Sequence, residues 1–290
     1  MLKTTKHFTE IMFVQTVIAS ILSAAFAFVT TDNAGLVPFD RFFVIVFENK
    51  DYRDVMADNY FGTVLPQKGR LLTNYEALAH PSQANYIGMI SGSTHGVKTD
   101  STTDIDGDTI VDKLEEQGLT WTTYQEDYAG NCDKSSSMSG GLYKRKHNPF
   151  ISFTSISRDE KRCSNIVNSE RLYDDIKSNS VPEYVFYTPN MDHDGHDTDL
   201  HTSSTWLEGF LEPLFKEPAF ANTLFLVTFD ETESYMGRNI IYSVLLGNPV
   251  AAGSTDNTHY THYSHIATLT KYWGIGSLKY DSKAAPFSLK

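Results

Sequence analysis

The stretch FFVIVFENKDY, residues 42–52, decides the fold class. Six apolar residues, most of them aromatic or β-branched, run without interruption from Phe42 to Phe47. Such a run is typical of a strand buried on both faces, as in a parallel sheet covered by helices. The run ends abruptly at Glu48 and Asn49. Ligands of open α/β sheets bind beyond the carboxyl ends of strands, so these oxygen-bearing side chains suit a hard divalent cation or a polar ligand. Their alternative role is to end the strand in a surface turn.

The same pattern recurs twice further along the chain. Residues 184–187 and 224–229 also indicate buried strands, and polar side chains follow each of them directly. The loop after the first has two histidines and three aspartates in the six residues 192–197, and the second ends at an acidic pair. Ordinary turn chemistry is the alternative for the loop. The polar residues of interest are Asn190, His193, His196, Asp197, Asp230 and Glu231.

The segments between these strands predict alternating strands and helices. Strands are expected at 71–77, 119–124 and 240–246, and helices at 60–69, 170–177, 205–215 and 266–273. A further helix is expected to begin after a cap at Asp106 or Asp108 and to end at Gly118. This alternation is typical of an α/β protein with a mostly parallel sheet.

A serine lies between the first two predicted strand ends. Ser82 follows Pro81, which disfavours helix for the residue before it, and precedes a predicted helix. The N-terminus of a helix stabilises negative charge, so a hydroxyl at this place could attack phosphorus or carbon. Simple capping of the helix is the alternative.

The N-terminal residues predict export. Lys3 and Lys6 precede an apolar segment that ends in the small residues Ala25 and Ala27, the pattern of a secretory signal peptide over 1–27. An uncleaved membrane anchor is the alternative. No later stretch is long and apolar enough to cross a bilayer. We therefore expect a secreted, extracellular protein without a stable membrane span after cleavage, with residues 28–290 forming a single domain.

The net charge and the cysteines limit which partners the protein can bind and indicate the compartment in which it works. The formal net charge of −12 makes nucleic acid and anionic membranes poor partners. An anionic substrate would then need a local positive site, such as a metal or histidines. The chain has two cysteines, Cys132 and Cys163, within a polar loop over about 128–165. In a secreted chain such a pair most simply forms a disulfide, here closing an insertion, and thiol chemistry is the alternative.

Five motifs connect these observations with a known family. ENKDY, HPSQANY, DGHD, FDE and THYSH, in this order, resemble the motifs of the fungal secreted acid phosphatases and the bacterial phospholipases C. Those phosphoesterases belong to the alkaline phosphatase superfamily. The resemblance covers roughly residues 42–273, and it implies a three-layer α/β/α sandwich around a mostly parallel sheet.

The resemblance also implies roles for individual residues. Ser82 would be the nucleophile that forms a phosphoseryl intermediate, with His196 and His262 as further catalytic groups. One divalent metal ion would be held by Glu48, Asn49, Asp230 and Glu231. The phosphoryl pocket would be lined by Asn85, Asn190, His196, Asp197 and His262.

Two departures from the pattern affect these roles. Alkaline phosphatases proper have Asp-His where this chain has Asp230 and Glu231, and the family usually has Asn at the position of His193. A donor set that contains only oxygens favours Mg, Ca or Mn over Zn. Mildly acidic medium would charge the histidines of the pocket and so strengthen their hold on a developing anion.

The predicted function is therefore a secreted, metal-dependent phosphoesterase. An acid phosphatase that hydrolyses phosphate monoesters is favoured, and a phospholipase C-type phosphodiesterase is the alternative. The corresponding partner is a small phosphate ester or a phospholipid head group. Two other hypotheses stay open at this point: a metal-independent serine esterase using Ser82 with His262 or His196, and a phosphate-binding protein without catalysis.

Overall fold

The computed structural model describes residues 37–290. The expected signal peptide lies outside these residues. The strands are β1 (Arg41–Phe47), β2 (Gly69–Glu76), β3 (Trp121–Gln125), β4 (Ser137–Met138), β5 (Tyr143–Lys144), β6 (Ile166–Asn168), β7 (Tyr184–Thr188), β8 (Thr223–Phe229), β9 (Ile240–Leu246), β10 (Ser254–Asp256) and β11 (Tyr260–Thr261).

Helices alternate with these strands along most of the chain. The α-helices are α1 (Tyr52–Ala57), α2 (Leu65–Lys68), α3 (Gln83–Ser91), α4 (Ile110–Glu116), α5 (Thr154–Ser157), α6 (Glu160–Cys163), α7 (Arg171–Lys177), α8 (Leu200–Leu214) and α9 (Ser264–Trp273). A π-helix spans Tyr60–Val64, and short 3₁₀ helices span Ser139–Gly141, Arg145–His147, Phe150–Ser152, Pro218–Phe220 and Tyr280–Lys283. Within the described residues no helix combines the length and the apolar character that a membrane span needs.

One large sheet organises the described residues. Its strand order is β10-β2-β9-β8-β1-β7-β3-β6, and β11 also pairs with β2. β9 runs antiparallel to β2 and to β8, whereas the other pairings in this sheet are parallel. β1 therefore lies in the interior of the sheet between two parallel neighbours, as its unbroken apolar sequence predicts.

Helices cover both faces of the sheet. Successive side chains of a strand point to opposite faces, and Phe42 and Phe43 are successive residues of β1. Phe42 packs against His265 of α9 with ring centroids 5.7 Å apart, and Phe43 packs against Phe210 of α8 at 6.4 Å. Both phenylalanines are fully buried. The three-layer α/β/α sandwich predicted from the sequence is confirmed.

The local differences from prediction concern where helices begin and end. The expected helix over 60–69 is a π-helix followed by α2, and Gly69 already belongs to β2. α4 begins after Thr109, not after Asp106 or Asp108, because the Thr109 hydroxyl accepts a hydrogen bond from the backbone N–H of Val111 and the Asp112 carboxylate accepts one from the N–H of Thr109. α8 begins five residues earlier than expected.

The polar loop between β3 and β7 contains short elements held by a disulfide. Cys132 and Cys163 are bonded, which confirms the predicted pairing. The bond joins the start of the loop to the end of α6 across a sequence separation of 31 residues. Between the two cysteines lie the β4–β5 hairpin and the 3₁₀ helix Arg145–His147. This helix brings Lys146 and His147 to the edge of the sheet.

Removing this disulfide is expected to destabilise the protein. The variant Cys132→Ala/Cys163→Ala should lose about 3 kcal/mol of unfolding free energy, because the cross-link restricts a long loop in the unfolded chain. Urea unfolding of the variant and of the oxidised wild type measures the difference, and wild type in a reducing buffer should behave like the variant. Superimposable curves for oxidised wild type and variant would contradict this expectation.

Candidate active site

The central feature is the edge of the sheet where β1 and β8 end together. These strands are parallel neighbours, and Phe47 lies opposite Phe229 in the register. The residues after each strand, Glu48 with Asn49 and Asp230 with Glu231, therefore emerge side by side. The backbone N–H of Asn49 donates to Oδ1 of Asp230 at 3.1 Å, which ties the two turns together. Glu48, Asp230 and Glu231 are all buried.

Ser82 lies against these carboxylates. It occupies the N-cap position of α3, yet its side chain makes no capping hydrogen bond. Its Oγ is instead 3.0 Å from Oε2 of Glu48 and 3.2 Å from Oε1 of Glu231. A hydroxyl has one proton and can donate it to only one of these oxygens at a time. Capping alone thus does not account for the position of Ser82, whose oxygen is shared between two acidic side chains.

The crowding of carboxylates changes their acidity. Burial and the charge of Glu48 raise the pKa of Glu231 to about 8, and burial together with Glu48 and Glu231 raises the pKa of Asp230 well above its usual range. Burial also raises the pKa of Glu48. The neighbouring groups of His147, Lys146 and Tyr86 lower it by more, so that the pKa of Glu48 is about 2. The negative charge is therefore concentrated on Glu48, and the carboxylates around it favour protons or a cation.

His147 is a site residue that sequence reasoning missed. Its Nε2 lies 3.2 Å from Oε1 of Glu48 and its Nδ1 lies 3.6 Å from Oδ2 of Asp194. Its ring stacks on Tyr86 with centroids 5.2 Å apart, and the Tyr86 hydroxyl donates to Oε1 of Glu48 at 2.6 Å. Burial lowers the pKa of His147 despite this neighbouring carboxylate. We assign the charge of the pair to Glu48, since Tyr86 and Lys146 stabilise it as well.

Lys146 and His80 were also missed. The ammonium of Lys146 contacts Oδ2 of Asp100 at 2.9 Å, and Oδ1 of Asp100 accepts from the backbone N–H of Gln83 in α3 at 3.0 Å. Although burial opposes it, the charges of Glu48 and Asp100 raise the pKa of Lys146. His80 contacts Oε2 of Glu231 through Nδ1. The sequence held one signal for Lys146 and His147, a basic run next to an apolar stretch at 145–153, inside the loop interpreted as an insertion.

His262 contacts the turn that contains Asp230. It is fully buried; its Nε2 lies 2.6 Å from the backbone carbonyl oxygen of Asp230, and its Nδ1 lies 3.4 Å from the hydroxyl of Tyr75. Burial lowers its pKa to about 4, so the ring is neutral in mildly acidic medium. Both ring nitrogens of His262 thus contact other groups of the protein, and Nε2 supports the turn of Asp230. Its role towards a phosphoryl ligand stays a prediction.

Asn85 and Asn190 also have their hydrogen-bonding groups engaged within the protein. Oδ1 of Asn85 accepts from the backbone N–H groups of Leu78 and Ala79 at 2.9 and 3.1 Å, and Nδ2 donates to the carbonyl of Ala79. Nδ2 of Asn190 donates to Asp127 at 2.7 Å. These contacts shape the loops that precede Ser82 and follow β7.

His196 is more open to solvent than the residues around Ser82. Its side chain is 31% exposed, and its ring centroid lies 6.3 Å from that of His147. Its Nδ1 is 2.7 Å from Oδ1 of Asp197, whose side chain is 53% exposed. His193, whose role was open, pairs with Glu126 at 2.6 Å and stacks on Trp206. Of the predicted pocket residues, His196 and Asp197 are thus the pair that borders the site from the solvent side.

Comparisons of structure and sequence with known proteins identify the fold and the family. The structure resembles that of a protein of the alkaline phosphatase superfamily from Vibrio parahaemolyticus, with a TM-score of 0.55 and 14% sequence identity over 86% of this chain and 71% of that one. At that identity the likeness concerns the fold alone. The sequence matches the model of the phosphoesterase family over residues 58–276, and the chain belongs to that family.

Fungal relatives are considerably more similar in sequence to this chain than the Vibrio protein is. The chain is 40% identical to an acid phosphatase of Aspergillus niger over 267 residues and 38% identical to the phosphate-repressible acid phosphatase of Penicillium chrysogenum over 265 residues. Each alignment covers 88% of this chain but 64% of the relative. The chain thus spans somewhat less than two thirds of the length of these relatives. The family resemblance stated from the five motifs is confirmed.

Proposed function

We propose that this protein is a phosphoesterase that hydrolyses phosphate monoesters with Ser82 as its nucleophile. The observation that carries the proposal is the position of Ser82 Oγ, which is free of capping and within 3.2 Å of carboxylates from two different strand ends. The identity to fungal acid phosphatases supports monoesters as the substrate class. The disulfide agrees with an oxidising, extracellular location.

The residues around Ser82 fit a divalent cation. Oδ1 of Asn49 and Oδ2 of Asp230 are buried and have no hydrogen-bond partner within the protein. Such atoms are costly unless something else binds them. Among residues 37–290 no group of three or more His, Cys, Asp or Glu side chains is already arranged around one point as a metal cage. A set of carboxylate and amide oxygens at one strand edge nevertheless suits Mg, Ca or Mn.

We therefore assign Glu48, Asn49, Asp230 and Glu231 as the residues that would hold one such ion. When bound, the ion would supply positive charge that neutralises these carboxylates and lowers the pKa of a neighbouring hydroxyl. The protein's own contribution is to fix the donor atoms: the parallel pairing of β1 and β8 sets the two acidic turns, and His262 supports the carbonyl of Asp230.

The reaction would take place in two balanced steps. In the first, Ser82 Oγ forms a bond to phosphorus, the bond between phosphorus and the ester oxygen breaks, and the alcohol leaves with a proton. In the second, water attacks phosphorus, the bond to Oγ breaks, one proton of the water returns to Oγ and inorganic phosphate is released. Glu231 Oε1 lies 3.2 Å from Oγ and is placed to take the hydroxyl proton of Ser82 and pass it to the leaving alcohol.

Charge on the phosphoryl oxygens needs positive partners in this acidic protein. Lys146 approaches the carboxylates from the disulfide-bonded insertion, and His196 lies on the solvent side next to His147. Groups of this kind stabilise the charge that a phosphoryl transition state spreads over its oxygens. We propose that Lys146 and His196, rather than the buried His262, supply this charge from the protein.

The arrangement does not favour a metal-independent serine esterase. A catalytic triad requires an imidazole that accepts the proton of the serine hydroxyl. The hydrogen-bond partners of Ser82 Oγ in the described residues are two carboxylates, and both ring nitrogens of His262 have other partners. The geometry therefore supports phosphoryl transfer over acyl transfer at Ser82.

A substrate panel tests the proposed function. p-Nitrophenyl phosphate, bis-p-nitrophenyl phosphate and phosphatidylcholine should be compared at equal enzyme concentration, with p-nitrophenyl acetate as the control for esterase activity. We expect kcat/KM for the monoester to exceed that for either diester by at least about tenfold. Faster cleavage of a diester would favour the phospholipase C-type alternative. Phosphate binding without turnover of any ester would indicate a binding protein and contradict the proposal.

A further inference from the structure

The loop between β8 and β9 carries an unusual exposed patch beside the site. Among residues 37–290, Met236 and Tyr235 are the two most exposed large hydrophobic residues, at 86% and 63%. They are adjacent in the sequence and follow Asp230 and Glu231 in the same loop. Exposing such side chains carries a cost in water, so two together next to a polar site suggest a contact with a ligand.

Tyr235 is connected to the nucleophile through two contacts. Its ring stacks on the imidazole of His80, with centroids 4.0 Å apart and an interplanar angle of 25°. His80 in turn contacts Oε2 of Glu231, whose other oxygen lies 3.2 Å from Oγ of Ser82. One face of the Tyr235 ring is thus fixed on the residue that borders the site, while most of the side chain remains open to solvent.

The base of the same loop is well ordered by hydrogen bonds. Oδ1 of Asn239 accepts from the backbone N–H of Thr232 at 2.8 Å, and its Nδ2 donates to the carbonyl of Ala79 at 3.0 Å. The N–H of Ser234 donates to Asp51 at 3.0 Å. These contacts tie the loop to the segment that leads into Ser82 and to the segment after β1. Tyr235 is therefore presented by an anchored loop at a set place beside the site.

We propose that Tyr235, together with Met236, is a specificity-determining platform for the leaving group of the ester. The inference rests on the proposed function and adds the substrate class. The enzyme would prefer monoesters of uncharged alcohols that are planar and aromatic, or apolar, to monoesters of small polar alcohols. A flat leaving group would stack on the open part of the Tyr235 ring while the phosphoryl group faces Ser82. Tyr235 and Met236 offer no positive charge to an anionic leaving group, and stacking on the ring favours an uncharged one.

The test compares two monoesters, 1-naphthyl phosphate and glycerol 2-phosphate. In Tyr235→Ala, the ratio of kcat/KM for the naphthyl ester to that for the glycerol ester should fall by about fivefold to tenfold relative to wild type, the factor that one aromatic contact provides. Tyr235→Phe keeps the ring and should keep the wild-type ratio. Tyr280→Ala removes a similarly exposed tyrosine, 56% exposed, whose backbone N–H bonds to Gly92 at the far end of α3 from Ser82. It should also keep the ratio.

A binding measurement separates this inference from the proposed function. The affinity of 1-naphthyl phosphate for Ser82→Ala and for Ser82→Ala/Tyr235→Ala can be measured by titration calorimetry without turnover. We expect the double variant to bind about fivefold to tenfold more weakly. Absence of turnover of both monoesters by wild type would defeat the proposed function, and the calorimetric comparison would still decide the role of Tyr235. Equal affinities, or an unchanged ratio of kcat/KM in Tyr235→Ala, would overturn the platform.

Discussion

Replacing Ser82 by alanine is expected to reduce turnover of p-nitrophenyl phosphate by a factor on the order of 10³ or more, because the proposed covalent nucleophile is lost. The fold should persist, since the change removes one hydroxyl whose contacts are to Glu48 and Glu231 and not to the backbone of α3. Steady-state kinetics together with circular dichroism measure both parts of this expectation.

Ser91→Ala is the matched control. Ser91 is the last residue of α3 and is as buried as Ser82, and its Oγ lies within hydrogen-bonding distance of the carbonyls of Ile87 and Ser93, at 2.7 and 2.8 Å. It shares the helix but lies at the end opposite the site. Its variant should keep turnover within about twofold of wild type even if it is somewhat less stable, because an effect on stability alone does not change the chemical step. A similar loss in both variants would point to an effect on α3 rather than on a nucleophile.

Removal of divalent metal is expected to have the second large effect. Treatment with EDTA should reduce turnover by about 10² or more, since a metal contributes several kcal/mol to stabilising charge in the transition state. Mg, Ca or Mn should restore it. The same ions should raise the melting temperature of the chelated protein, because ligands that bind only the folded state stabilise it by mass action. Full activity and an unchanged melting temperature after chelation would contradict the metal assignment.

Two glutamate substitutions locate the metal. Glu231→Gln removes the charge of an assigned donor and should require at least about tenfold more metal for the same rise in melting temperature. Glu208→Gln makes the same chemical change at an exposed position of α8 and should respond to metal as wild type does. Elemental analysis of the purified protein identifies the ion. Two zinc ions per chain would instead indicate the arrangement of the alkaline phosphatases proper.

The parts of the structure that repeat a simple physical pattern were predictable from sequence. The apolar run of β1 and that of β8 indicated strands buried on both faces, and the polar residues after them lie at one sheet edge because the strands are parallel. Ser82 was identified from its place between a proline and a helix. These features depend on residues that are close in sequence or on the general direction of parallel strands.

The rest of the site depends on contacts between distant parts of the chain. His147 reaches Glu48 only because the disulfide-bonded insertion folds back over α3, and nothing in the sequence around His147 specifies that path. The orientation of His262 could not be read from THYSH either, since a histidine that supports a backbone carbonyl and one that faces a ligand have the same local sequence. Loop conformation and side-chain partners therefore needed the structure.

The most direct test of the central claim is to look for the phosphoryl group on Ser82. Wild-type protein mixed with p-nitrophenyl phosphate should be quenched in acid during turnover, digested and examined by peptide mass spectrometry, with Ser91→Ala and Ser82→Ala treated in the same way. We predict a phosphorylated peptide whose modified residue is Ser82 in wild type and in Ser91→Ala, and none in Ser82→Ala. Near wild-type turnover by Ser82→Ala, or a phosphoryl group found on another residue, would contradict the account.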